Sequence, residues 1–157
     1  MNISQKHIVL LSVAFLLIAI PAVAQIENGV TFDAPFAFYA GDAKMPAGSY
    51  RVTQPDANSG VLLLEDANGS HSKIVEFRPV DKDTAPSTTE VGFKKYGDVD
   101  FLSRISIAGE NTELRVSQSK TEENAAKATA AEEHSVAATS GGTQPAASTE
   151  MQQAERK

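Results

Sequence analysis

Between residues 30 and 107 apolar side chains recur at every second position in short runs, and that period of two points to strands through the interior of the chain. Phe36 and Phe38 flank Ala37, Tyr50 and Val52 flank Arg51, Val75 and Phe77 flank Glu76, and Val91 and Phe93 flank Gly92. Phe101, Ser103, Ile105 and Ile107 line one face of a longer run. Turn chemistry separates the runs at Pro46-Ala47-Gly48, Asp56-Ala57-Asn58-Ser59-Gly60, Asp66-Ala67-Asn68-Gly69 and Tyr96-Gly97-Asp98. The pattern predicts strands over 29–32, 35–41, 48–54, 60–65, 71–78, 88–95 and 99–107, with a further one at 112–116. No amphipathic helix interrupts them, so the expected fold is all-β: a small antiparallel β-sandwich or barrel of about seven to eight strands, paired as a meander. A membrane barrel needs strands of about 9–11 residues with an outward apolar band. Most of these runs are shorter, and several solvent-side positions are charged.

Two segments of different composition flank this region. Residues 1–24 carry Lys6 and His7, an apolar run from Ile8 to Ile20, Pro21, and then Ala22-Val23-Ala24 as a small-x-small site. That order is that of a secretory signal peptide cleaved between Ala24 and Gln25. The run is shorter than the roughly 20 residues of a spanning helix, so no stable membrane span is expected after processing. The expected destination is export, either periplasmic or secreted. The chain has no Cys, which excludes a disulfide framework, a thiolate zinc site and a cysteine nucleophile.

Residues 117–157 contain no Leu, Ile, Phe, Tyr or Trp and are rich in Ala, Glu, Ser and Thr. Such a stretch has little apolar surface to offset its ordering entropy. Ser119 with Glu122 three residues on has capping-box spacing, and Ala125, Ala126, Ala128, Ala130 and Ala131 favour helix. The expected tail is a solvated helix over 120–138, disordered beyond Gly141-Gly142 and Pro145. The expected organisation is signal peptide 1–24, β domain 25–116 and tail 117–157.

The charge balance, 14 Lys+Arg against 20 Asp+Glu for a net -6, argues against a nucleic-acid partner. Neither the β region nor the tail shows a basic run.

Phe36-Ala37-Phe38, then Met45-Pro46-Ala47-Gly48-Ser49-Tyr50-Arg51-Val52, then Tyr96-Gly97 with Phe101-Leu102 make a sequential pattern. It resembles that of small exported bacterial β proteins of Acidobacteria-like origin, in which a Phe-x-Phe strand leads to a Pro-Ala-Gly-x-Tyr-x-Val hairpin and a later Tyr-Gly…Phe-Leu strand. The resemblance spans roughly residues 30–107. It implies export and a β fold, and it brings no catalytic residue with it.

Candidate chemistry is sparse. Beyond the signal the only histidines are His71 and His134, 63 residues apart, and neither forms a ligand-spaced cluster, so no metal site is expected. No Gly-x-Ser-x-Gly occurs, and Ser117-Gln118-Ser119-Lys120 matches Ser-x-x-Lys without companion motifs. Glycines are scattered over turns and form no phosphate loop, so no cofactor is expected. Asp81 with Asp83, and Asp98 with Asp100, read as solvated turn acids. Asp56-Ala57-Asn58-Ser59-Gly60 opens like a calcium loop but has Ala67 where the closing Glu belongs. Asn68, in Asp66-Ala67-Asn68-Gly69-Ser70, lies in a glycosylation sequon of the extended acidic type. Phe36, Phe38, Tyr50, Phe77, Phe93 and Phe101 suit either a core or an apolar pocket, and a β region this small needs them as core. With no catalytic constellation, the expectation is a non-catalytic exported domain that binds an envelope component or a protein partner. A small apolar-ligand carrier is the alternative, and an envelope hydrolase is third.

Overall fold

A computed structural model of the chain describes residues 29–56 and 59–141. The expected signal peptide, its cleavage between Ala24 and Gln25, and the expected disorder beyond residue 141 lie outside the described residues. The strands are β1 (Val30–Ala34), β2 (Phe38–Ala40), β3 (Ala43–Met45), β4 (Gly48–Thr53), β5 (Val61–Asp66), β6 (Ser72–Asp81), β7 (Glu90–Tyr96), β8 (Val99–Ser106), β9 (Thr112–Val116) and β10 (Glu132–Ser140). A single described helix, α1, spans Lys120–Ala128.

Eight strands close a barrel in the order β1-β4-β5-β6-β9-β8-β7-β10 and back to β1, every pair antiparallel. The all-β expectation holds, and of its two forms the barrel is the one that forms. The run expected over 35–41 is broken. It yields the short β2, a turn at Gly41 with φ 61°, and β3, a hairpin whose first strand lies parallel to the start of β8. The meander holds for β4-β5-β6 and for β7-β8-β9 only. β6 closes on β9, and β1 reaches β7 through β10.

Alternation does the packing. Val30, Phe32 and Ala34 on β1, Leu62 and Leu64 on β5, Val91 and Phe93 on β7, and Leu114 on β9 all point into the barrel and are buried. One end is closed by rings: Phe38 meets Tyr50 and Phe93 edge-on at centroid separations of 5.2 Å, and Phe32 contacts all three at 5.7–6.2 Å. Burial of each such side chain contributes about 1.5–3 kcal/mol. The rings that could have lined a pocket pack against one another instead.

The main departure lies in the segment expected to be a solvated tail. Its helix begins as the capping-box spacing predicts, with the Glu122 amide donating to Ser119 Oγ at 3.2 Å. A second cap comes from the β2–β3 turn, where Asp42 accepts from the Thr121 amide and hydroxyl at 3.1 and 2.7 Å. Those hydrogen bonds hold the Asp42 carboxyl below its ordinary value. The helix, expected to reach 138, stops at Ala128, and Glu132–Ser140 becomes β10 between β1 and β7. Two open strand edges offer this segment hydrogen bonds on both sides, and that gain overrides the helix propensity of its alanines. Its inward positions are His134, Val136 and Ala138, of which the last two pack on the core.

Glu122 is nearly buried at 5% exposure, where it accepts from Tyr96 Oη at 3.2 Å and ties α1 to the barrel. Burial pushes its carboxyl above the ordinary 4.5, against the opposing effects of the Tyr96 hydrogen bond and the Lys94 charge. A carboxyl raised on folding contributes stability that is present below its unfolded pKa and lost as pH climbs through the folded value. Glu122→Gln keeps an acceptor for Tyr96 and carries no charge. It is expected to melt higher than the parent at pH 7 and to show a weaker decline in melting temperature above about pH 4.5. A lower melting temperature for this variant at pH 7 would show that the carboxylate is no burden.

Candidate functional site

Residues of the barrel that face outward are set by the same alternation. On β6, β9 and β8 the pairing places Arg78 opposite Arg115 and Arg115 opposite Arg104. Gly92 of β7 faces Arg104, and Ser135 of β10 faces Gly92. Three arginines thus stand side by side on adjacent strands, about 4.8 Å apart in strand spacing. Like charges directly opposite one another repel, so this row needs a counter-charge.

Glu113, outward on β9, supplies it. The residue is 2% exposed although it sits on the outer wall, because cations fold over it. It receives the Lys82 ammonium, the Arg115 Nε at 2.8 Å and the Ser106 hydroxyl at 3.2 Å, with Arg104 Nε at 3.6 Å. Burial by itself would push this carboxyl up. The hydrogen bonds from Lys82 and Arg115, the charge of Lys82 and the Ser106 hydroxyl outweigh burial and hold it below its ordinary value.

Arg104 then crosses β7 to Glu133 of β10, with Nη1 to Oε2 at 3.1 Å. It can do so because residue 92 has no side chain: a Cβ there would lie 2.5 Å from Arg104 Cγ and 2.9 Å from its Nε and Cζ. The register slips between Gly92 and Phe93, which marks the bulge at which this crossing occurs.

The result is an open pocket of about 660 Å³ on the wall. Five basic side chains border it, Arg78, Lys82, Lys94, Arg104 and Arg115, against two acidic ones, Glu113 and Glu133. Arg78 and Lys94 form no ion pair among the described residues. Ser103, Ser117 and Gln118 add polar groups and no aromatic ring lines it. In a chain with net charge -6 this concentration of cations is local, and it can hold an anion by charge-assisted hydrogen bonds. A second wall pocket of about 470 Å³ lies over β1, β4 and β10, where Ser49 donates to Asp33.

The residues singled out in the sequence fall elsewhere. His71 sits exposed after a turn, its Nδ1 3.0 Å from Asp66, which also accepts from the Ser70 amide at 2.7 Å. The His71 hydrogen bond leads the contacts that hold Asp66 below its ordinary value. Asn68 is exposed in that turn. Asp98 is an exposed turn residue, but Asp100 is buried at 6% exposure, which corrects its reading as a solvated turn acid. Its Oδ1 lies 2.6 Å from Nε2 of His134, and β10 is what brings the two together. The imidazole also packs against Phe93 and edge-on against Phe36 at centroid distances of 5.6 and 5.1 Å. No hydroxyl bonds this ring among the described residues, so the pair has an orienter and a base without a nucleophile. Asp81 accepts from Thr112 Oγ1 at 3.2 Å, and Asp83 is exposed. The Ser117-to-Lys120 match is split, with Ser117 bordering the basic pocket and Lys120 opening α1. Among the described residues no three His, Asp or Glu side chains group as metal ligands.

None of the five basic residues was a sequence candidate. The three arginines and Lys94 lie on separate strands and Lys82 just after β6, and only the β6-β9-β8-β7 register makes them neighbours. No protein-family model, curated protein or solved structure matches the chain.

Proposed function

We propose that the chain is an exported, non-catalytic binding domain that holds an anionic component of the cell envelope against its basic wall. One observation carries the reading: three arginines aligned on adjacent strands around a buried Glu113, with Arg78 and Lys94 in no ion pair among the described residues. Export rests on the N-terminal pattern of residues 1–24. The carrier alternative draws no support from an end of the barrel filled by Phe32, Phe38, Tyr50 and Phe93. A hydrolase draws none from a His134–Asp100 pair without a nucleophile.

Co-sedimentation of residues 25–157 with isolated envelope at low and high salt tests the proposal. Binding is expected at low salt and should fall as salt rises. The Arg78→Ala, Lys94→Ala double variant removes two cations that form no ion pair among the described residues, and should weaken binding on the order of tenfold. Gly92→Ala should weaken it as well, by forcing Arg104 off β7, and because the clash falls on Cγ, close to the backbone, it should also lower the melting temperature. Salt-insensitive binding that survives both changes would place recognition on another surface, and absence of binding would end the proposal.

A further inference from the structure

The geometry points to a linear acidic polysaccharide, a chain of uronate sugars, as the ligand of the basic wall. This inference rests on the anion-binding reading above and narrows it to one chemistry.

The cations are spread along a row. Arg78, Arg115 and Arg104 occupy three consecutive strands, so the row covers two strand spacings, roughly 10 Å. A guanidinium is a planar fork that can match a carboxylate in bidentate fashion. Arg78 offers its whole fork, Arg115 spends Nε on Glu113 and keeps its two terminal nitrogens, and Arg104 spends Nη1 on Glu133 and keeps Nη2. A polyuronate carries one carboxylate per sugar, so a run of a few sugars brings several carboxylates along a row of this length.

Competing anions fit less well. A phosphate concentrates its charge on one centre and is best held by a cradle of backbone N–H groups at a glycine-rich loop or helix start. On the wall the backbone groups of β6, β9, β8 and β7 are directed along the sheet, into strand pairing. Single-stranded nucleic acid gains much of its affinity from aromatic platforms, and no aromatic side chain borders this pocket. The remaining lining favours sugar. Ser103, Ser117 and Gln118 can exchange hydrogen bonds with sugar hydroxyls, and the 60%-exposed Glu133 offers them a further acceptor.

Isothermal titration of residues 25–157 with oligogalacturonate tests this, using neutral oligogalactose, inorganic polyphosphate and a single-stranded oligonucleotide as the other arms. The expected result is saturable binding of the uronate, with affinity rising from the monomer to the trimer, and at least tenfold weaker binding of the other three. Arg78→Ala should reduce trimer affinity several-fold and flatten the dependence on length, with an unchanged melting curve to show that the fold is retained. Binding of polyphosphate or oligonucleotide as tightly as uronate, or equal binding of uronate and neutral sugar, would overturn the inference. In the first case the anion-binding reading survives, and in the second it falls too. If none of the four binds, both fail.

Discussion

A chain that ends at Val116 is expected not to fold. Removal of everything after β9 leaves the whole expected β region but takes away β10, which pairs with β1 over three residues and with β7 over six. At about 0.5–1.5 kcal/mol net per hydrogen bond, the lost ladder alone approaches the roughly 5–15 kcal/mol that holds a domain together. The cut also opens the barrel beside Phe32 and Phe93 and removes α1 with its Asp42 and Tyr96 contacts. Circular dichroism on heating should show no cooperative transition for residues 25–116, and a dye specific for exposed apolar surface should bind it at all temperatures. A chain ending at Gly141 keeps β10 and should melt as the longer chain does. A sharp transition in the shorter one, close to the parent's, would show that β10 is an accessory.

Glu113→Ala should be the most costly single change on the wall. It removes the one carboxylate that Lys82, Arg104 and Arg115 share and leaves Glu133, which meets Arg104 alone, as the only counter-charge bonded to the row among the described residues. Loss of one partner from a buried ion pair costs about 3–5 kcal/mol. The lower end, about 3 kcal/mol, applies here because Lys82 and Arg115 remain nearly half exposed and can find water. Glu113→Gln keeps the shape and an acceptor and should cost less. The pH signature has the sign opposite to that of Glu122. Folding holds Glu113 below 4.5, so its contribution is present above that value and is lost as pH falls through the lower folded pKa. Urea denaturation of both variants from about pH 3 to pH 7 checks this: the parent should lose stability toward acid more steeply than Glu113→Gln. A cost below about 1 kcal/mol for Glu113→Ala would mean that the row is not held by this carboxylate.

The strands legible in the sequence were those with a strong local signal. β4, β5, β7 and β8 follow alternating aromatic and aliphatic runs bounded by Gly and Asn turns, and they lie where that pattern puts them. β10 was illegible because its own signal is weak: Glu132–Ser140 has one Val and no larger apolar residue. It is a strand because β1 and β7 flank a gap, which is a fact about segments far from it in sequence. The Ser119–Glu122 spacing marks where the helix starts, but alanine content does not mark where it ends, because it expresses propensity and not the competition from open edges. The basic wall was hidden for the same reason. Arg78, Arg104 and Arg115 each look like a single outward charge, and a net charge of -6 averages them away. Only cross-strand register, which β6-β9 and β8-β9 pairing determines, turns them into a row.

The barrel's first described strand is partnered by its last. β1 at Val30–Ala34 rests on β10 at Glu132–Ser140, and the paired Thr31 and Thr139 are 108 positions apart. During synthesis β1 therefore waits for nearly the entire chain before its second neighbour exists. The cylinder cannot close strand by strand as the chain emerges and must wait until β10 has been made. Contacts this distant in sequence also make folding slow, so the newly made chain spends an interval open, with the edges of β1 and β7 unpaired and exposed to any strand that meets them first.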